Sequence, residues 1–274
     1  MSNALVWLNG QLVKQEEAAV SAISPGLLVA MGLFETMAVY EGKVFAFGRH
    51  YRRLEQGCER LGFVSPTMDV LEAVMTELLR DNALLHGRAR VRITLFEGPL
   101  KMETLVQATA VEPSEGASRM LVSPYRRNER GALTGIKATA YAENILALRE
   151  VRQQGADEVV ILNSRDEVCE GGTTNIFCVE NDVVLTSPLS SGCLPGVTRE
   201  IVMELCQDRG MPVREEALSL ERLLKSDGVF LTGSLREVQA VESIGERTWG
   251  KHSLVDQISG AYQSYVRDYI DGAE

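Results

Sequence analysis

The spacing of hydrophobic and polar positions changes period along the chain, and each change marks an element. Two apolar runs, Val6–Leu8 and Leu12–Val13, flank Asn9-Gly10, a dipeptide that enters positive φ easily and so favours a tight hairpin. A second strand pair, Phe34–Tyr40 and Lys43–Phe47, meets at Glu41-Gly42. Two helices follow. The first covers Arg49–Leu61; the second covers Asp69–Leu79, where Leu71, Val74, Met75, Leu78 and Leu79 recur at helical spacing. Ala89–Leu95 returns to a period of two, with Ala89, Val91, Ile93 and Leu95 on one face and Arg90, Arg92 and Thr94 on the other.

The pattern fades between residues 112 and 136, through EPSEGAS and RRNERGALTG, and the domain junction is placed there. This gives a small N-terminal α/β domain over 1–124, a linker over 125–135 and a larger C-terminal domain over 136–274. The second half opens with Lys137 at the head of an apolar segment that runs into a helix, Glu143–Gln153, closed by Gly155. Short strands are expected at Glu158–Leu162, Ile176–Val179, Val183–Thr186 and Val229–Thr232, with helices at Thr198–Gln207 and Leu220–Leu224. There is no internal repeat, and the class is a two-domain α+β fold.

Composition narrows the function. The chain of 274 residues is 45% hydrophobic and 24% charged, an ordinary globular balance. A net charge of -10 argues against a nucleic-acid partner, which needs a basic surface. The start, MSNALVWLNGQLV, lacks a basic leader before an apolar core, and the longest apolar stretch, Leu27–Phe34, is too short to span a bilayer. No membrane association is expected. Five scattered cysteines without a CxxC pair suit reduced thiols, so a cytoplasmic location is expected. Three dispersed histidines do not suggest a metal centre, and no GxSxG elbow suggests a serine hydrolase. Difficult chemistry is therefore assigned to an organic cofactor.

Several residues could serve one, and each also admits a structural role. Lys137, in GIKAT, is a potential amine nucleophile or a solvated side chain. Glu170 precedes Gly171-Gly172, which let backbone approach a flat ligand or simply form a polar turn. The stretch Leu194-Pro195-Gly196-Val197-Thr198-Arg199 precedes a helix that Thr198 could cap, leaving N–H groups for a phosphate. Ser234, after a strand, offers a second cradle, and Arg53 a bidentate clamp or a helix-surface charge. Arg90 and Arg92 face either solvent or a substrate carboxylate.

Taken in order, GLFET at 32–36, HYRRL at 50–54, Ile136-Lys137, GADE at 155–158, Glu170-Gly171 with NIF at 175–177, LPGVTR at 194–199 and FLT at 230–232 resemble the class IV aminotransferases. These are the fold-type IV enzymes that use pyridoxal 5'-phosphate (PLP), and the resemblance implies a D-amino-acid aminotransferase-like fold. It implies that Lys137 forms the lysine aldimine and shuttles a proton, and that Glu170 contacts the pyridine nitrogen. Arg53, the backbone of Val197 and Thr198, and Ser234 would hold the phosphate, while Tyr141 would touch the ring oxygen. Phe34 and Arg92 would face the substrate. A homodimer with its site at the domain junction is likewise implied.

Within that family the branched-chain enzymes resemble a glycine-rich stretch after the lysine, which Ala138-Thr139-Ala140-Tyr141 lacks. The segments Phe34-Glu35-Thr36, Ala89–Arg92 and Ser234–Val238 resemble the 4-amino-4-deoxychorismate lyases, which eliminate pyruvate to give p-aminobenzoate. Against that, Glu97-Gly98 replaces a common Arg-Gly pair, and the loop after it, residues 99–104, normally lies by the substrate. The expectation is transamination between a small amino acid and a 2-oxo acid, with the lyase as the alternative. A scaffold that binds PLP without turnover is a third reading, disfavoured by the presence of both Lys137 and Glu170.

Overall fold

The computed structural model describes residues 4–114 and 116–272. Contacts divide the chain into two compact units. The first takes residues 4–113, 136–140 and 269–272; the second takes the described residues of 114–135 and 141–268.

In the first unit the elements run β1 (Leu5–Leu8), β2 (Gln11–Lys14), α1 (Pro25–Leu28), β3 (Gly32–Tyr40), β4 (Lys43–Val44), α2 (Phe47–Leu61), α3 (Met68–Asp81), β5 (Arg88–Glu97) and β6 (Met102–Ala110). The strands form one sheet in the order β2-β1-β6-β5-β3-β4. Ala89, Val91, Ile93 and Leu95 of β5 pack with Leu71, Met75, Leu78 and Leu79 of α3, so the two periodicities seen in the sequence meet in a single core. The opposite face of β5 carries Arg88, Arg90, Arg92 and Thr94, all partly buried.

Two expectations here are corrected. The strand proposed for Lys43–Phe47 ends at Val44, because Ala46 adopts a left-handed conformation (φ 52°) and turns the chain into α2. The presumed substrate loop at 99–104 is only half loop, since its last three residues, 102–104, belong to β6. Gly98 donates its N–H to the Lys101 carbonyl at 2.9 Å, closing a tight connection, and β6 begins at Met102. A Cβ on Gly98 would lie 2.6 Å from that carbonyl, so the turn admits little but glycine.

The second unit contains β7 (Ser118–Arg127), α4 (Ala142–Gln153), β8 (Glu158–Asn163), β9 (Val168–Glu170), β10 (Asn175–Glu180), β11 (Val183–Thr186), α5 (Val197–Asp208), β12 (Val213–Glu215), α6 (Leu220–Lys225), β13 (Gly228–Gly233), β14 (Glu237–Ile244), β15 (Arg247–Thr248) and α7 (Ser253–Asp271), whose last residues cluster with the first unit. Its strands follow the order β12-β11-β10-β13-β14-β7-β8-β9, with β15 on β14. The parallel pairings of β7 with β8 and β14 place β7 inside this sheet. A boundary drawn at residue 124 therefore cuts a strand, and the segment 136–140 groups with the first unit rather than the second. There Lys137 does not head a helix. Its carbonyl accepts from the Phe34 N–H, and the Thr139 N–H donates to the Gly32 carbonyl, both at 2.9 Å, so the segment lies along β3 and α4 starts only at Ala142.

No helix among the described residues is long and apolar enough to cross a membrane.

Candidate active site

The first unit contains four of the predicted residues, Phe34, Arg53, Arg92 and Lys137, and gathers three of them, Arg92 and Lys137 around Phe34. β3 alternates, so Phe34 and Thr36 share one face and Glu35 points to the other, towards α2. There the buried Glu35 carboxylate receives the Arg53 guanidinium through Nε at 2.8 Å and a terminal nitrogen at 2.6 Å. His50 Nδ1 lies 2.8 Å from the same carboxylate. Residues 50 and 53 are three apart on α2 and so fall on one helical face. Burial alone would raise the Glu35 carboxyl; the Arg53 charge and the hydrogen bonds from His50 and Arg53 outweigh it and hold the carboxyl well below its ordinary range. Burial lowers His50 in spite of the Glu35 hydrogen bond, so a neutral imidazole donates Nδ1–H to an ionised carboxylate. Arg53 is thereby fixed in plane by a partner that the sequence reading did not include. The motif HYRRL located the arginine, and the glutamate in GLFET is its anchor.

On the other face two cations lie close to the Phe34 ring. The Arg92 guanidinium carbon is 3.8 Å from the ring centroid, and Lys137 Nζ is 4.5 Å from it. Arg92 also donates through Nε to Thr94 Oγ1 at 3.2 Å.

The second unit gathers Tyr141, Glu170, Val197 and Thr198. Glu170 ends β9, rather than lying in a turn between strands. Its carboxylate accepts from the Arg127 guanidinium at 3.0 Å and from the Leu194 N–H at 2.8 Å. Arg127 also reaches Asn144 Oδ1 at 2.9 Å, and the Asn144 amide and the Tyr141 hydroxyl both donate to the Gly172 carbonyl, at 2.9 and 2.8 Å. Arg127 and Asn144 were not singled out from sequence. Arg127 sits in a stretch without apolar periodicity, and nothing local marks it.

Leu194, held by Glu170, leads through Pro195 into α5. The N-cap of that helix is Gly196, not Thr198, which lies inside the first turn; among the described residues no side chain caps the helix. The absence of a Cβ at Gly196 matters, because a built one would fall 2.0 Å from Asn175 Oδ1. Asn175 pairs with Thr232 across β10 and β13, and Thr174 Oγ1 and Thr232 Oγ1 are buried without a hydrogen-bond partner among the described residues. Ser234 follows β13 directly. Orphaned hydroxyls beside an uncapped helix N-terminus are what a bound phosphate would satisfy, and the donor set of this unit fits PLP. Among the described residues no three His, Cys, Asp or Glu side chains are grouped to hold a metal ion.

The family description Amino-transferase class IV matches residues 32–244. The branched-chain-amino-acid aminotransferase of Escherichia coli K12 is 29% identical over 87% of this chain and 84% of its own. Among solved structures, the branched-chain aminotransferase of Thermoproteus uzoniensis with norvaline superposes with a TM-score of 0.90 at 29% identity, covering 96% of this chain and 94% of that one. A second branched-chain amino acid aminotransferase, complexed with N-(5'-phosphopyridoxyl)-L-glutamate, gives 0.88 at 26% identity, with the same two coverages of 96% and 94%. The chain belongs to the class IV aminotransferase family and has its fold-type IV architecture. It is a PLP-dependent aminotransferase, whose substrates are amino acids and 2-oxo acids.

Proposed function

We propose that the chain moves an amino group between a small aliphatic amino acid and a 2-oxo acid, with Lys137 as the catalytic amine. The observation that carries this is the placement of Lys137 Nζ against Phe34 beside Arg92, which puts a nucleophilic amine next to an apolar surface and a carboxylate-binding cation. The relatives' branched-chain substrates make leucine, isoleucine or valine the first amino donors to try. When bound, PLP supplies an electrophilic carbon and an electron-accepting ring. Lys137 is the amine that would hold it, and its Nζ would carry the proton to and from the substrate Cα.

Glu170, bonded to the Arg127 guanidinium and the Leu194 N–H, would hold the pyridine nitrogen. Arg53 and Ser234, with the N–H groups of Val197 and Thr198, take the phosphate. Tyr141, anchored on Gly172, sets the edge that meets the ring oxygen. Phe34 and Arg92 receive the substrate. The enzyme works as a homodimer in the cytoplasm. The exposed apolar run Ile23, Leu27, Leu28 and Val29 supports the dimer, and five free cysteines support the reducing compartment.

The test is the visible spectrum of the PLP-loaded protein during addition of L-leucine without an oxo acid. Conversion to the pyridoxamine form is expected in wild type and is lost in Lys137→Ala. Conversion that survives in Lys137→Ala would remove the lysine from its role. A stable spectrum with every amino acid, together with pyruvate release from aminodeoxychorismate, would replace transamination by the lyase reaction.

A further inference from the structure

Glu158, the last residue of the GADE segment, has no part in the reaction proposed above, yet it is completely buried at the start of β8. One of its carboxyl oxygens accepts the Val159 N–H at 3.0 Å and the Gly172 N–H at 2.9 Å. The other accepts the Thr173 hydroxyl at 3.0 Å and lies 3.7 Å from a terminal nitrogen of Arg236. Arg236 in turn donates to the Asp157 carbonyl at 3.1 Å and to Gln239 Oε1 at 2.6 Å. The carboxyl group therefore ties β8 to the turn at 171–174, which closes on itself where the Gly171 N–H donates to the Thr174 carbonyl at 2.7 Å.

An apolar side chain of that size is cheaper to bury than a carboxyl group, so stability alone does not call for Glu158. What the carboxyl adds is a fixed Gly172. That residue has its N–H on Glu158, while its carbonyl accepts the Tyr141 hydroxyl at 2.8 Å and the Asn144 amide at 2.9 Å. Asn144 carries the restraint further, because its Oδ1 accepts from Arg127, which also donates to Glu170. One buried group thus stands behind two of the side chains assigned to the cofactor.

We propose that Glu158 is a positioning residue of the active site. Through Gly172 it sets the placement of Tyr141 directly, and that of Glu170 by way of Asn144 and Arg127. This rests on the reading in which Tyr141 and Glu170 meet the cofactor, and gives the two a common support. A side chain without an acceptor at 158 leaves the Gly172 N–H and the Thr173 hydroxyl unsatisfied, and the Gly172 carbonyl is then free to turn away from Tyr141. Glutamine keeps the support: its oxygen accepts the two N–H groups, and its nitrogen donates to the Thr173 oxygen.

Two measurements test the proposal, the first without cofactor. Amide hydrogen exchange at Gly172 should quicken in Glu158→Met and stay close to wild type in Glu158→Gln. The second measures PLP dissociation constants. Glu158→Met should weaken binding about tenfold, and Glu158→Gln should remain within about threefold of wild type. Tyr141→Phe should weaken binding as well, and its combination with Glu158→Met should fall about threefold or more short of the product of the two separate losses, since both act on one contact. Should Glu158→Met fail to fold, Thr173→Val takes its place, because it removes one donor from the carboxyl at an exposed position; a loss of about threefold is expected, again less than additive with Tyr141→Phe. Losses that multiply in full, or Gly172 exchange and PLP affinity both unchanged in Glu158→Met, would overturn the assignment. A silent Tyr141→Phe would instead refute the cofactor role of Tyr141, and exchange at Gly172 would still decide whether Glu158 holds the turn.

Discussion

At the residue scale the least obvious group is Glu35. Read along the sequence it is, with Thr36, a polar interruption of a mostly apolar strand; in the structure it orients the arginine proposed to grip the cofactor. HYRRL announced Arg53, but no local pattern says that a carboxylate 18 residues earlier would lie beneath it, because strand-to-helix packing decides that contact. Replacement of Glu35 by Gln removes the negative charge facing the largely buried Arg53, and should cost about 3 kcal/mol of stability. The same change should raise the PLP dissociation constant about tenfold as the guanidinium loses its plane, measured by fluorescence quenching.

The pair also sets an acid limit. Folded Glu35 holds its proton off far below its ordinary 4.5, and folded His50 titrates below its ordinary 6.5, so in both cases the unfolded chain binds protons first as pH falls. Stability should therefore decline as pH drops through 6.5 and more steeply below 4.5, by up to about 1.4 kcal/mol per pH unit for each group. Urea midpoints from pH 7 to pH 4 would show it. In Glu35→Gln the carboxylate contribution below 4.5 should vanish, and a slope there as steep as wild type would assign the acid sensitivity to other groups.

At the scale of elements, strong periodicity was readable and weak periodicity was not. α3 and β5 follow from their stripes because the core they share accepts only apolar side chains. β6 and β7 escaped notice because Thr, Gln, Ser and Arg interrupt their alternation, and β7 shifts register between Val122 and Arg126. α7 is a different case: Val255, Ile258, Tyr262 and Val266 carry a helical stripe that marks it in the sequence, although none was assigned there.

Helix caps were misplaced for a physical reason. Thr198 has the chemistry of a cap, yet Gly196 takes the position because Asn175 already fills the space a side chain would need. Gly196→Ala should consequently displace Asn175 or tilt the first turn of α5. The expected result is a PLP affinity reduced about tenfold with an unchanged far-ultraviolet circular dichroism spectrum. An affinity equal to wild type would mean that the helix start does not hold the phosphate.

For the whole molecule, the distribution of apolar surface argues against a solitary chain. Ile23, Leu27, Leu28 and Val29 are 72%, 62%, 66% and 67% exposed, and they fall within seven consecutive residues around α1. Scattered exposed leucines are common, but four large aliphatic side chains in one short segment make a patch that water disfavours. The segment is ordered all the same: Ser24 donates its hydroxyl to the Glu97 carbonyl and Glu97 donates its N–H to Met31, so α1 is pinned to the end of β5. A fixed apolar patch of this kind is suited to burial against a second copy. Fully burying one such side chain is worth roughly 1.5–3 kcal/mol, and a two-fold interface buries every side chain twice. Leu28→Asp should therefore shift the protein from dimer to monomer in sedimentation velocity at micromolar concentration, while Leu100→Asp, at an isolated position 97% exposed, should leave the assembly unchanged. A wild type that sediments as a monomer would refute the proposed dimer, and a Leu28→Asp variant that remains dimeric would place its interface away from α1.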